Sequence, residues 1–215
     1  LAESFPVTIK TSVCSFELAD SLADISDNFN PVRGAKSPFG NSGLIIGRKV
    51  TTLDTMPDYN GPRQTLGSIL LKNVDESYYI DENSLPKWNY LKGAKKEKRT
   101  NKAAGAEYNY AEGAMVFPDA LDKPSRTVVT GEGGSAPSRF KHVIRTKDGR
   151  LRRLTPKELE RLNMFPDDHT AGATDVKRAF LMGNALVVGI IVRIGKVLNE
   201  RASFSAAEPK KKRYG

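Results

Sequence analysis

The run Arg152-Arg153-Leu154-Thr155-Pro156-Lys157-Glu158-Leu159-Glu160-Arg161-Leu162-Asn163-Met164-Phe165-Pro166-Asp167-Asp168 constrains this chain more than any other stretch. It specifies a short helix with both ends written in. Thr155 suits the N-cap, Pro156 the first helical position, and Glu158 stands where its carboxylate can return the hydrogen bond of a capping box. Leu154 and Leu159 can form the hydrophobic staple across that end. Phe165 precedes Pro166, which disfavours helical backbone and stops the element. Arg152, Arg153, Lys157 and Arg161 surround it with positive charge.

The rest of the charge follows a gradient. The chain has 215 residues and a net charge of +9. Residues 1–86 carry 7 Lys/Arg against 11 Asp/Glu, residues 87–104 carry 7 against 1, and residues 105–215 carry 20 against 13. The positive excess lies in the later part, as suits contact with a phosphate backbone along one face, although charge alone describes any basic surface equally well. A hydrophobic fraction of 39% supports a core, and a mean hydropathy of −0.45 implies long polar loops. The best apolar run, Ala185 to Val192, is cut by Arg193 and is shorter than a bilayer requires, so no membrane is expected. No signal peptide is visible, and the first residue is Leu rather than Met, as in a piece of something longer. One cysteine excludes an internal disulfide and fits a reducing compartment.

In chain order, Phe16, Leu18, Leu22, Ile25 and Phe29 predict an amphipathic core-facing helix within residues 1–30, with Cys14 a small buried residue. Residues 31–43 read as loop. Leu44 to Leu53 predict a hairpin with Gly47 at its first turn position. Thr65 to Leu71 suggest a short helix. Lys87 to Lys102, with Trp88 and Tyr90, reads either as a nucleic-acid contact or as a solvated loop. Arg126-Thr127-Val128-Val129-Thr130 predicts a strand, the Gly131-to-Arg139 segment a glycine-dense loop, and Phe140 to Arg145 a second strand. Lys147-Asp148-Gly149 is a tight turn. Glycines let backbone approach a ligand closely, which would bring Ser135, Ser138 and Arg139 within reach of phosphates or base edges. No Gly-Lys-Ser/Thr ending follows, which argues against a nucleotide loop. His169, with His142 the only other histidine, is too isolated to suggest a metal site. Asp175 is expected to cap a helix over Val176 to Met182. Asn184 is expected to cap a second, whose stripe Leu186, Val187, Ile190, Ile191, Ile194, Val197 and Leu198 would face a core. Residues Pro209 to Arg213 form a basic tail, read by default as a disordered solubilising end, with a nuclear address or an extra DNA contact as the alternatives.

Arg-x-Leu-Thr-Pro-x-Glu-x-x-Arg-Leu-x-x-Phe-Pro-Asp (residues 152–167) resembles the ninth conserved block of the DNA (cytosine-5) methyltransferases. Met182-Gly183-Asn184-Ala185-Leu186-Val187-Val188 is similar to that family's tenth block and follows at the expected distance. Some residues depart from the usual pattern: Lys157 replaces Arg, Asn163-Met164 stand where Gln-Gly is common, Met182 replaces an aliphatic residue, and Val187-Val188 replace prolines. Residues 124–139 resemble, more loosely, the end of the family's target-recognition domain.

The resemblance implies an α+β fold: a small mixed domain of twisted antiparallel strands and long loops, then C-terminal helices that would complete a Rossmann-like methyltransferase domain. Four regions follow from it: a helical lead-in (1–30), a DNA target-recognition domain (31–168), returning helices (169–203) and a basic tail (204–215). It implies double-stranded DNA as partner, with Lys95, Lys96, Arg126, Thr127, Thr130, Ser135, Ser138, Arg139, Lys141, Arg152 and Arg153 as candidate contacts. It implies S-adenosylmethionine as cofactor, bordered by Asn184, Ala185 and Leu186. In the family a flipped cytosine is attacked by a cysteine thiolate and methylated at C5. This sequence contains no Phe-x-Gly-x-Gly, Pro-Cys-Gln, Glu-Asn-Val or Gln-x-Arg-x-Arg block, so no catalytic residue is assigned. The chain alone is expected to bind DNA without methylating it, and the catalytic portion becomes a second partner, in the same longer chain or in another subunit. The setting implied is a prokaryotic cytoplasm. The alternative is a stand-alone, non-catalytic DNA-binding module derived from such an enzyme.

Overall fold

The computed structural model describes residues 3–28, 39–103 and 105–207. Contacts divide the chain into two units, Leu1–Gly61 with Lys196–Gly215, and Pro62–Gly195. The boundary expected at residue 30 therefore falls inside the first unit. The tail from residue 208 lies outside the described residues.

The first unit is mainly antiparallel sheet. It contains β1 (Val7–Ile9), β2 (Cys14–Glu17), α1 (Leu22–Asn28), β3 (Ser42–Ile46), β4 (Lys49–Leu53) and β5 (Thr55–Pro57). The order β2-β4-β3 makes one sheet, and β1 pairs with β5 separately. The predicted hairpin is β3–β4. Gly47 and Arg48 both have positive φ, 51° and 68°, the pattern of a type I′ turn that matches strand twist. The helix expected across Phe16 to Phe29 is reduced to α1. Phe16 sits instead in β2 opposite Val50, because β4 offers its edge to an alternating Cys-Ser-Phe-Glu segment. Cys14 is exposed on that strand rather than buried. Phe29 lies outside the described residues.

The second unit opens with a buried 3₁₀ turn, Leu66–Ile69. It continues through α2 (Leu85–Lys92), β6 (Lys95–Thr100), β7 (Glu107–Glu112), β8 (Val143–Arg145), β9 (Leu151–Arg153), α3 (Pro156–Leu162), α4 (Asp175–Asn184) and α5 (Val188–Ala207), the last running on into the first unit's segment. Leu66, Ile69, Ile144, Leu154, Leu159, Ala179 and Met182 form its apolar core. The segment Lys87 to Lys102 is therefore a helix end and a strand, not a loop. The strand expected at Arg126–Thr130 makes no ladder, and only Val143–Arg145 of the second predicted strand does so, paired with β9 around the Gly149 turn.

Two helix predictions at the C-terminal end are corrected. Thr174, not Asp175, caps α4 through its hydroxyl, and Asn184 is the last residue of α4 rather than the cap of α5. The chain is extended at Ala185 (ψ 149°), so Asp175–Ser203 is two helices. By length and composition that stretch does reach what a bilayer span needs, contrary to the expectation from Ala185 to Val192 alone. Of the predicted core stripe, Leu186, Ile190, Ile191 and Leu198 are exposed and Val187, Ile194 and Val197 half-buried, so the stripe is not buried in a core.

Candidate functional site

The capped helix α3 is built as its sequence dictates. The Glu158 N–H donates to Thr155 Oγ1 (3.2 Å), and the Thr155 N–H donates to Glu158 Oε2 (2.8 Å). The same carboxylate receives more. Arg152 donates to both its oxygens (2.8 and 2.7 Å), and the Leu71 N–H adds a bond of 2.8 Å. Arg152 is 2% exposed and Glu158 is fully buried. A buried ion pair is tolerated only when geometry and further hydrogen bonds offset its desolvation, and here both do. Arg152 is thus a strut, and its sequence reading as a DNA contact is replaced by a structural role.

Behind α3 a second buried carboxylate, Glu160, organises the Pro-Asp turn. It accepts the Asp168 and Thr170 N–H groups (2.8 and 3.0 Å) and Nη2 of Arg178 (2.9 Å). Burial pushes its acidity down, but the bonds from Thr170 and Arg178 outweigh that and hold its pKa below the usual range. Lys157 pairs with Asp168 and Arg161 with Asp167, so the cations along the helix are also held.

The glycine loop is pinned by its carbonyls. Arg153 Nη1 and Lys141 Nζ both donate to the Gly134 oxygen (2.8 and 3.0 Å), and Lys141 also reaches Ala136 O (2.6 Å). Both side chains are buried, which lowers both pKa values, and the neighbouring Arg153 lowers that of Lys141 further. Below the loop the buried Glu132 accepts the His142 N–H (2.9 Å) and contacts His142 Nδ1 (2.7 Å), whose other ring nitrogen meets Ser125 Oγ (3.0 Å). Arg126 makes a two-pronged bond to Asp119 (2.6 and 3.1 Å). Lys141 and Arg153 therefore hold the loop by its carbonyls, and the half-buried Arg126 is committed to Asp119 and the carbonyls of Phe140 and Lys141, so all three have structural roles in place of the expected DNA contacts.

Of the remaining candidates, Thr127, Thr130, Ser135 and Lys96 are exposed, and Ser138 is half-buried. Lys95 is tied to Glu112 (2.8 Å) and to Leu91 O (3.0 Å). Arg139 is also engaged, contacting Glu112 (2.8 Å) and the carbonyls of Leu91, Gly93 and Gly113 (3.2, 3.5 and 2.5 Å). Sequence reasoning missed Lys92, Asp119, Glu132 and the paired His142. No local pattern marks a residue whose partners lie in other elements.

The two sequence blocks meet in space. Asn163, at the end of α3, donates from Nδ2 to Met182 O (3.0 Å) and accepts the Val188 N–H on its carbonyl (2.9 Å). Next to this, Gly183 lies so close to the backbone of Val129 and Thr130 that a Cβ there would stand 2.2 Å from the Thr130 nitrogen. Glycine in the Gly-Asn pair is required by this contact. Met164 occupies the left-handed region (φ 63°), which explains why glycine is the common residue there in the resembling block. The Asn184-to-Leu186 turn follows, with Asn184 exposed and its amide donating to Phe180 O (3.0 Å).

Taken together, these residues define a scaffold that presents loops and a polar turn, with its charges committed to holding them. Among the described residues no group of three His, Cys, Asp or Glu is gathered as a metal would need, and the chain's single cysteine lies in Val13-Cys14 on β2, not in a Pro-Cys loop. The chain belongs to the C-5 cytosine-specific DNA methylases, whose family profile matches residues 45–200. It is 40% identical over 210 residues to the type II methyltransferase M.Sau3AI of Staphylococcus aureus, covering 96% of this chain and 48% of that protein. It is 27% identical over 142 residues to the type II methyltransferase M.SsoII of Shigella sonnei, covering 66% of this chain and 34% of that one. The chain thus spans about half the length of the first relative and a third of the second. Among solved structures, the S. pombe Dnmt2 methyltransferase aligns with a TM-score of 0.46 at 16% identity, over 72% of this chain and 51% of that one.

Proposed function

We propose that this chain is the DNA-recognition and closing portion of a cytosine-5 DNA methyltransferase, acting on a specific duplex site in a prokaryotic cytoplasm. In this reading the reacting cysteine belongs to a catalytic portion carried by the same longer chain or by a second subunit. The observation that carries the reading is the joint between the ninth and tenth blocks. Asn163 ties the end of α3 to Met182 and Val188, on either side of the Asn184–Leu186 turn. The helix α4, which ends in that turn, packs against the glycine loop at Gly133 and through Gly183, so loop and candidate cofactor edge are built as one piece.

Duplex contact falls to the exposed Thr127, Thr130, Ser135 and Lys96, together with the half-buried Ser138. Arg126, Lys141, Arg152 and Arg153 support them from below. The turn offers an exposed amide at Asn184, the small Ala185 and an exposed apolar Leu186, with no charge among the three. That fits one wall of an S-adenosylmethionine site. The cofactor, when bound, supplies a methyl group on a sulfonium for transfer to cytosine C5. The returning helix α5, with its exposed aliphatic stripe, would pack against the catalytic portion and complete a Rossmann-like domain.

Labelled methyl transfer from S-adenosylmethionine to duplex DNA tests the reading. The chain alone is expected to bind duplex and transfer nothing, and transfer is expected once the catalytic portion is added. Cytosine methylation by the isolated chain would overturn it.

A further inference from the structure

The β6–β7 ribbon has features the loops do not. It is a two-stranded sheet that pairs with no other strand, and among its described residues none is buried. Isolated two-stranded ribbons are marginal in water, so this one has to be held at its root. Arg139 holds it from both sides. Its guanidinium reaches the carbonyls of Leu91 and Gly93, where the chain enters the ribbon, and Glu112 and the carbonyl of Gly113, where it leaves. The Met115 N–H donates to Lys92 O (2.8 Å) and closes the same neck.

The two faces of the ribbon differ. On one, Lys95 pairs with Glu112, Arg99 with Glu97, Arg99 stacks 3.5 Å from the Tyr110 ring centroid, and Lys95 lies 5.0 Å from the ring of Tyr90 on α2. The charges of that face are committed to its own ion pairs and rings, while Tyr108 opposite Arg99 stays exposed. The other carries the register pairs Lys96 opposite Ala111, Lys98 opposite Asn109 and Thr100 opposite Glu107, all exposed. Its one ion pair, Lys98 with Glu107, is 4.0 Å long and solvent-exposed, so it contributes little and exchanges easily for another partner. Lysine, asparagine, threonine, glutamate and an alanine methyl are the chemistries that read base edges. A two-stranded ribbon fits the roughly 12 Å major groove, and six residues per strand reach about 20 Å along it.

We infer that the β6–β7 ribbon is the sequence-reading element of this chain, laying the Lys96–Lys98–Thr100 and Glu107–Asn109–Ala111 face into the major groove, with Arg139 as the positioning residue that sets its angle. This rests on the DNA-recognition reading given under Proposed function and names the residues that carry it. Arg139 does not contact bases. It acts through the ribbon.

Selection of duplexes from a random-sequence library by the full chain tests the inference. The unmodified chain enriches one sequence. Asn109→Ala and Lys98→Ala each relax preference at one or two base positions by about tenfold or more. Arg139→Ala relaxes all of those positions together and leaves the salt slope of binding unchanged, whereas Lys96→Ala lowers that slope by about one. If the chain enriches a sequence and both Asn109→Ala and Lys98→Ala enrich the same one with undiminished preference, the ribbon is not the reader and the recognition reading stands. If the unmodified chain neither binds nor enriches any duplex, the recognition reading falls and the ribbon assignment falls with it.

Discussion

Around α3 the chain buries its charges, and along β3 and α5 it exposes its aliphatics. Arg152, Glu158 and Glu160 are at most 2% exposed, while Ile46 on β3 is 69% and Leu198 on α5 is 62% exposed. The usual arrangement is the reverse, because desolvating a charge costs energy and burying an aliphatic side chain releases it. Each inversion has its own cause. The charges are buried where they fix a loop and a turn whose conformation secondary structure alone would not specify. The aliphatic surface of α5 is the one for which we propose a catalytic portion as cover.

The largest expected effect tests the charged side of this contrast. Glu158→Ala leaves Arg152 buried without its carboxylate, removes half of the capping box and frees the Leu71 N–H. Stability should fall by about 3–5 kcal/mol in denaturant unfolding, and a loss under about 1 kcal/mol would mean the cluster is incidental.

Next comes the buried cation Lys92. Burial first, then the nearby Arg126, push its pKa down to about 8 from the ordinary 10.5. Its ammonium lies 5.9 Å from the Trp88 ring centroid and 6.0 Å from that of Phe117, and donates to Lys141 O. Below pH 8 both folded and unfolded chains carry the proton, and the fold bears the full desolvation cost. Between about pH 8 and 10.5 the unfolded chain binds more protons than the folded one, so the Lys92 contribution should raise stability with pH across that window. The gain is at most roughly 3 kcal/mol, and Lys92→Met should abolish that part of the pH dependence. A pH profile identical in the two proteins would contradict the lowered pKa of Lys92.

A smaller effect concerns the close approach at the second block. Gly183→Ala forces a methyl into the backbone of Val129 and Thr130 and should cost about 2 kcal/mol in thermal or denaturant unfolding. Unchanged stability would show that α4 slides freely over the loop. The smallest effect tests the aliphatic side. Ile46→Thr, on β3, should alter stability by no more than about 0.5 kcal/mol, since little apolar contact is lost. A cost several times larger would mean the strand is covered in the free chain.

What the sequence made legible was local. The α3 cap box, the Gly47 turn and the Gly149 turn are written in neighbouring residues, and each formed as read. Phe16 was misread because a spacing that suits a helix also occurs in a strand followed by a short helix, and the edge of β4 decided between them. The same limit explains the site. A run of arginines and lysines near a glycine loop looks like a surface for phosphates, yet Arg152, Arg153 and Lys141 found acceptors in Glu158, Gly134 and Ala136, partners up to 19 residues away. Arg139 met the ribbon root 48 residues back at Leu91, which no periodicity encodes.

Asn163 carries a consequence of its own. One buried side chain and one carbonyl rivet the last turn of α4 and the first residue of α5 to the end of α3. The turn at Asn184 and the capped helix α3 therefore cannot be displaced separately without opening both bonds. Whatever steadies one of them steadies the other to the same degree, since coupling through a shared joint runs equally in both directions.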